Sequence, residues 1–340
     1  MIFNAKVRSV FNFQFSIFNF QFSMIYLLLI IGFVILIYGA NYLVDGAVGI
    51  AKRFKISDLI IGLTIVAFGT SSPELIVNLV AAMDATTTDI ALTNIIGSNT
   101  INIFIVLGAA ALIYPVKSQK DSRKFDIPLC LLATLIIFLP VYFRKELDIM
   151  FGVVLLLIFS FFMFITARKA LKMRVSQSSE IAEKTVKQLK TGWYTLMIIG
   201  GLILLVIGGK LIVNSATAIA VSLGVSQSII GLTIVALGTS LPELATSVIA
   251  ALKKNSDIAL GNVIGSNIFN VFFVLGISAC IRPLPAYENI MIDLSMATLG
   301  SLFVLIFVLT NKKNEIKRWE GGLLLCIYFG YLAWMITNIR

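Results

Sequence analysis

Ten apolar runs dominate the chain, at 24–49, 57–83, 88–115, 125–143, 147–167, 193–221, 226–251, 257–283, 288–310 and 318–338. Each is about 20 residues or more, the length a helix needs to cross the ~30 Å hydrocarbon core of a bilayer. Polarity interrupts this pattern at length only over 168–192, ARKALKMRVSQSSEIAEKTVKQLKT, which is too short for a domain and reads as an aqueous linker. The predicted fold is therefore an all-α integral membrane protein of ten transmembrane helices. Five lie in 24–167, the linker occupies 168–192, and five lie in 193–340. The leader, 1–23, carries FNFQFS at 11–16 and again at 18–23. Each copy alternates aromatic and polar positions rather than laying down a helical stripe, and it lacks the form of a signal peptide. Met24 opens the first convincing apolar helix and is the expected start, which leaves 1–23 outside the repeats.

Composition agrees with the runs: 59% of residues are hydrophobic and 13% charged, and the mean hydropathy is +0.98. Such a chain needs lipid. Its formal charge of +10 would suggest nucleic acid in a soluble protein, but here the basic residues fall between apolar runs. Loops 52–55, 117–124, 168–190, 253–254 and 312–318 hold 20 of the 27 Lys and Arg residues. The opposite set holds Lys6, Arg8, Arg144, Lys145, Arg282 and Arg340, while Lys210 lies within a run. Under the positive-inside rule the linker is cytoplasmic and both termini face outward, in a multi-pass protein of the cell membrane. Nucleic acid is excluded as a partner.

Histidine is absent, which removes the commonest zinc ligand and the commonest proton carrier near neutral pH. The three cysteines, Cys130, Cys280 and Cys326, are far apart within apolar runs and form neither a disulfide framework nor a CxxC knuckle. No enzyme activity and no cofactor is expected.

The chain repeats itself. Residues 60–75, IIGLTIVAFGTSSPEL, match 229–244, IIGLTIVALGTSLPEL, at 14 of 16 positions, and 94–108, NIIGSNTINIFIVLG, match 262–276, NVIGSNIFNVFFVLG, at 10 of 15. Five spans per copy is an odd number, so the second copy must enter the membrane in the opposite sense: the repeats are inverted. Loop charge agrees, because Lys52, Arg53 and Lys55 precede the first motif while the second is followed by Lys253 and Lys254.

Glu74 and Glu243 fall near the middle of the second and seventh runs, where an ionised carboxylate costs several kcal/mol unless paired, protonated or bound to metal. Pro73 and Pro242 precede them, remove a helix donor and crowd the carbonyls of Gly69 and Gly238. Thr70, Ser71, Thr239 and Ser240 add hydroxyls in the same turn, so each break offers hard oxygen donors of the kind that suit calcium or sodium. Ser98 and Asn102 share a face of the third run, as do Ser266 and Asn270 of the eighth, and Gly97 and Gly265 should permit close helix contact there. Asp45, Lys210 and Asp293 lie near span ends, where structural or interfacial roles suffice, and Trp193, Trp319 and Trp334 read as interface anchors.

GTSSPE, GTSLPE and the two GSN segments resemble the α-repeats of the calcium/cation antiporter superfamily, closest to its prokaryotic sodium/calcium exchanger family, over essentially residues 24–340. The resemblance implies alternating access with Ca2+ exchanged for Na+. It makes Glu74 and Glu243 the calcium ligands, together with the carbonyls of Thr70 and Thr239. Sodium would use those glutamates with the Ala67 and Ala236 carbonyls, the hydroxyls of Ser71, Ser240, Ser98 and Ser266, and the nearby Asn102 and Asn270. Asn270 stands where some members, including potassium-dependent exchangers, have aspartate, which disfavours potassium dependence. Thr93-Asn94 in the first copy faces Gly261-Asn262 in the second, a packing change with no evident consequence in the sequence. A Ca2+/H+ or other cation antiporter on the same fold is the second reading. An intramembrane hydrolase lacks acid–base partners beyond the two glutamates, and a passive channel fits broken, repeated helices poorly.

Overall fold

The computed structural model describes residues 2–84, 88–177, 190–225 and 236–338. Among these residues eight helices are long and apolar enough to cross a membrane: α1 (Met24–Phe54), α4 (Ile90–Ile113), α5 (Ser122–Arg144), α6 (Ile149–Lys172), α7 (Thr191–Ser222), α10 (Ser256–Ile281), α11 (Ile290–Thr310) and α12 (Arg318–Thr337). A ninth crossing is a pair, α2 (Asp58–Thr70) and α3 (Ser72–Met83), bent by 47°. The seventh expected span lies partly in 226–235, outside the described residues; its described part comprises α8 (Ala236–Thr239) and α9 (Leu241–Leu252). The helix that contains α1 begins at Ile2, so the leader does not break helical structure as its alternation suggested. FNFQFS recurs after seven residues, close to two helical turns, a period compatible with a helix.

The outer helices turn large apolar side chains outward, among them Ile30, Phe143, Leu157, Leu196 and Phe329. A multi-pass membrane protein presents such a surface to lipid. Burial is concentrated in α4 and α10, whose most apolar windows are 83% and 78% buried, against 22% in α6 and α12. The two helices that carry the GSN segments are thus the most buried of the spans described.

Contacts cross between the halves in matched fashion. Gly108 of α4 lies against the Gly321 backbone of α12, and Gly276 of α10 lies against Gly152 of α6. Two short antiparallel ribbons do the same: Val116–Lys117 pairs with Glu315–Ile316, and Glu146–Leu147 pairs with Leu284–Pro285. The halves also turn corners alike, with left-handed backbone at Lys55 and Gly224 after α1 and α7, and at Lys145 and Asn314 after α5 and α11.

Helix α1 runs antiparallel to α7 through a glycine seam. A Cβ on Gly39 would lie 2.8 Å from Leu205 N and 2.9 Å from Gly201 O, and one on Gly208 would lie 2.7 Å from Leu36 N. Small residues let the two backbones touch, which drives association where lipid supplies no hydrophobic force between helices. The same device joins α2 to α10, because a Cβ on Gly261 would meet Leu59 O at 2.8 Å and one on Gly265 would meet Leu63 O at 2.7 Å. The Gly261 substitution in the repeat therefore serves this contact. Gly97, expected to act likewise, has no described atom within 4 Å of a Cβ position; its counterpart contact would involve residues near 232, outside the described set.

Candidate ion site

Both helix breaks fall at serine. Ser71 has φ −84° and ψ 9°, and Ser240 has φ −87° and ψ 3°, so the two copies interrupt the helix with one backbone geometry. The next helix starts immediately, with Pro73 and Pro242 in its first turn, where no intrahelical donor is required. The expected crowding of the Gly69 and Gly238 carbonyls is thereby relieved: the chain bends at the serine instead of straining around the proline. Glu74 and Glu243 follow in that first turn, where the helix dipole favours negative charge.

Helices α4 and α10 each carry a π-helical segment next to these breaks, at Asn102–Leu107 and Phe269–Leu275. Single π turns put an extra residue into a helix and re-aim side chains, and they recur at functional sites. A third such segment, Gly62–Val66, lies in α2 immediately before Ala67.

Glu74, Glu243, Asn102, Asn270 and Ser266 have no solvent exposure, and Thr70, Ser71, Ser98 and Ser240 have almost none. The glutamates are held from both halves of the chain. Ser71 Oγ donates to Glu243 Oε1 at 2.8 Å, and Ser98 Oγ donates to Glu74 Oε1 at 3.4 Å. Thr239 Oγ1 lies 3.4 Å from Ser98 Oγ, which joins α8 to α4. Thr70 Oγ1 lies 3.4 Å from Ala67 O and donates to Asn262 Oδ1 at 3.1 Å, while Asn262 Nδ2 donates to Ser247 Oγ at 2.9 Å. The Ala67 carbonyl also accepts from Ser71 N at 3.0 Å. Asn78 and Asn94 form the first-copy counterpart of this scaffold, joined at 2.7 Å from Asn94 Nδ2 to Asn78 Oδ1.

Six oxygens that belong to these residues are buried without a partner: Glu74 Oε2, Glu243 Oε2, Asn102 Oδ1, Asn270 Oδ1, Ser240 Oγ and Ser266 Oγ. A buried polar atom with no partner costs about 1–3 kcal/mol, and more when charged. Two carboxylate oxygens, two amide oxygens and two hydroxyls are thus left open, and atoms of this kind suit a hard cation that has shed its water.

Sequence reasoning found the residues of all six atoms but missed those that hold them. Asn99, Asn262 and Asn267 are buried and bonded to the motif residues. The signal was present, since all three stand in the matched segments with a counterpart in the other copy, at Asn267, Asn94 and Asn99.

Comparison with known proteins places the chain in a family. The model of the sodium/calcium exchanger protein family matches residues 24–168 and 193–337. The chain is 39% identical over 297 residues to a putative antiporter CaxA of Alkalimonas amylolytica, covering 85% of this chain and 91% of that protein. It is 34% identical over 327 residues to the sodium/calcium exchanger MaX1 of Methanosarcina acetivorans, covering 85% and 92%. Among solved structures it resembles the sodium-calcium exchanger NCX_Mj soaked with Na+ and Sr2+, with TM-score 0.75, 34% identity, and coverage of 94% of this chain and all of that one.

Proposed function

The chain belongs to the sodium/calcium exchanger protein family, and we propose that it moves Ca2+ against Na+ by alternating access through the centre built on Glu74 and Glu243. The observation that carries this reading is the pair of fully buried glutamates, each with one oxygen free. Two ionised carboxylates balance the charge of one calcium ion, and the surrounding neutral oxygens replace its hydration shell. The same oxygens, spread over four helical segments, divide into smaller sites for sodium when calcium leaves. Glu74 and Glu243 with the Thr70 and Thr239 carbonyls hold calcium. Sodium takes those carboxylates together with the Ala67 and Ala236 carbonyls, the Ser71, Ser98, Ser240 and Ser266 hydroxyls, and the Asn102 and Asn270 amide oxygens.

The two halves are ten spans in inverted repeats, with both termini outward and 168–192 cytoplasmic. Matched serine breaks, matched left-handed corners and the crossed ribbons support the repeat. The odd span number and the loop charges support its inversion. Two copies that enter the membrane in opposite senses can exchange conformations, so one centre opens to either side in turn. Residues 1–23 lie outside the repeats.

Proteoliposomes tested for sodium-driven calcium-45 uptake decide the assignment. Glu74→Gln and Glu243→Gln should each abolish uptake while the purified protein keeps its gel-filtration profile, because one carboxylate supplies too little charge for a dehydrated divalent ion. Full uptake by either variant removes its glutamate from the centre.

A further inference from the structure

Four asparagines tie α4 to α10 in a reciprocal ring. Asn99 Nδ2 donates to Asn267 O and Asn267 Nδ2 donates to Asn99 O, both at 3.2 Å. Asn270 Nδ2 donates to Asn99 Oδ1 and Asn102 Nδ2 donates to Asn267 Oδ1, both at 3.1 Å. All four residues are buried. From this ring we infer that Asn99 and Asn267 are positioning residues for ion binding, each fixing which end of the other repeat's amide, Asn270 or Asn102, is presented to the ion.

The two ends of a carboxamide have nearly the same shape, so an asparagine can face an ion with its oxygen or, uselessly, with its NH2. Hydrogen bonding must choose. Asn267 O is a backbone carbonyl and can only accept, so the atom of Asn99 that meets it is the nitrogen. That places Asn99 Oδ1 on the opposite side, where it too can only accept. The atom of Asn270 that meets it must then be Nδ2, and Asn270 Oδ1 is turned away, buried and without a donor. The same three steps, run from Asn99 O through Asn267, leave Asn102 Oδ1 bare. Every link is forced by a group that lacks hydrogens, so the orientation is set by the pairing of donors with acceptors and not by fit.

The dependence is crossed: Asn99 in the first copy orients Asn270 in the second, and Asn267 orients Asn102. It also bears on the residue type at 270. An ionised carboxylate there would set two acceptors against each other at Asn99 Oδ1, so this ring requires a donor at 270, which the amide supplies without a proton. This inference rests on the exchanger reading above, in which Asn102 and Asn270 contribute ion ligands.

Equilibrium binding of calcium-45 and sodium-22 to the purified full chain in detergent tests it through double-mutant cycles. Asn99→Leu keeps the branched outline of the side chain and removes the hydrogen bonds it makes, while the Asn99 carbonyl that orients Asn267 stays in place. It should weaken ion binding by about 10-fold or more, as loss of a ligand-orienting partner does. Combined with Asn270→Leu it should cost nothing further, because its only route to the ion is gone; combined with Asn102→Leu the losses should multiply. Asn267→Leu should show the mirror pattern, coupled to Asn102 and independent of Asn270, and serves as the separate test if a variant at 99 does not fold. A merely structural role predicts reduced yield or melting temperature with losses that multiply in every combination, and that result overturns the proposal. Unchanged binding in Asn99→Leu and Asn267→Leu overturns it equally. If the unmodified protein binds neither ion, the exchanger reading itself fails, an outcome distinct from either.

Discussion

At the scale of single residues, the proposed site rests on oxygens left unpaired where burial makes that costly. Ser71 shows how a partner can matter without being a charge. Its hydroxyl donates to Glu243 Oε1 across the two halves, so it aims the carboxylate as well as standing beside it. Ser71→Ala should raise the calcium concentration for half-maximal uptake by about 10-fold, near the value of one hydrogen bond to a charged group, with a smaller effect on maximal rate. An unchanged half-maximal concentration would show that Glu243 needs no such support. Asn270 leads to a second expectation. With an amide at this position and at Asn102, sodium-driven calcium uptake should proceed at full rate in media where choline replaces all potassium; a requirement for potassium on either side would refute the role given to the amide. Glu74, Glu243, the four serines, Asn102 and Asn270 could be singled out in the sequence because a charge or a matched polar group at mid-span is costly unless an ion or a polar partner meets it. Asn99 and Asn267 were not, because nothing in their type separates an amide that binds an ion from one that holds such an amide in place. Only the pairing Asn99 to Asn270 and Asn267 to Asn102 separates them.

At the scale of elements, the sequence showed apolar run lengths well and breaks less well. Proline marked the right turn of α3 and α9, but the bend sits at Ser71 and Ser240, since a proline in the first turn of a new helix is at ease there. The π segments at Asn102–Leu107 and Phe269–Leu275 contain no glycine or proline, and an inserted residue changes the helical phase without needing one inside the segment. The glycine seam of α1 and α7 was likewise hidden, since glycine is common in membrane helices and only contact shows which ones touch. This seam carries a stability prediction. Gly39→Leu puts a side chain where a Cβ alone would meet the Leu205 backbone at 2.8 Å, so the helices must part. The variant should lose about 1–3 kcal/mol, read as a lower melting temperature in detergent, whereas Gly330→Leu, at a position with open space, should lose little. Equal melting temperatures for the two variants would mean that the seam is not a tight contact.

At the scale of the whole molecule, the proposed centre draws on two copies of one motif, and hydrogen bonds run between the copies: Ser71 to Glu243, Ser98 to Thr239, and the asparagine ring. A centre shared in this way cannot be rearranged in one half alone, which suits a carrier whose halves exchange roles. Charge follows from the same centre. If calcium neutralises Glu74 and Glu243, and three sodium ions replace it as the family resemblance implies, the sodium-loaded form carries one extra positive charge. Each 100 mV should then bias the exchange by about 2.3 kcal/mol, with an inside-negative potential favouring sodium entry and calcium exit. Flux that does not respond to potassium–valinomycin clamps would indicate two sodium ions or two protons per calcium instead. The central claim, that this centre couples calcium to sodium, is tested most directly by calcium-45 uptake into sodium-loaded proteoliposomes diluted into sodium-free choline medium, beside vesicles that carry only a pH gradient. The account predicts uptake that scales with the sodium gradient and none with the pH gradient alone. Uptake driven by the pH gradient, or uptake of equal size with no counter-ion gradient at all, would contradict it.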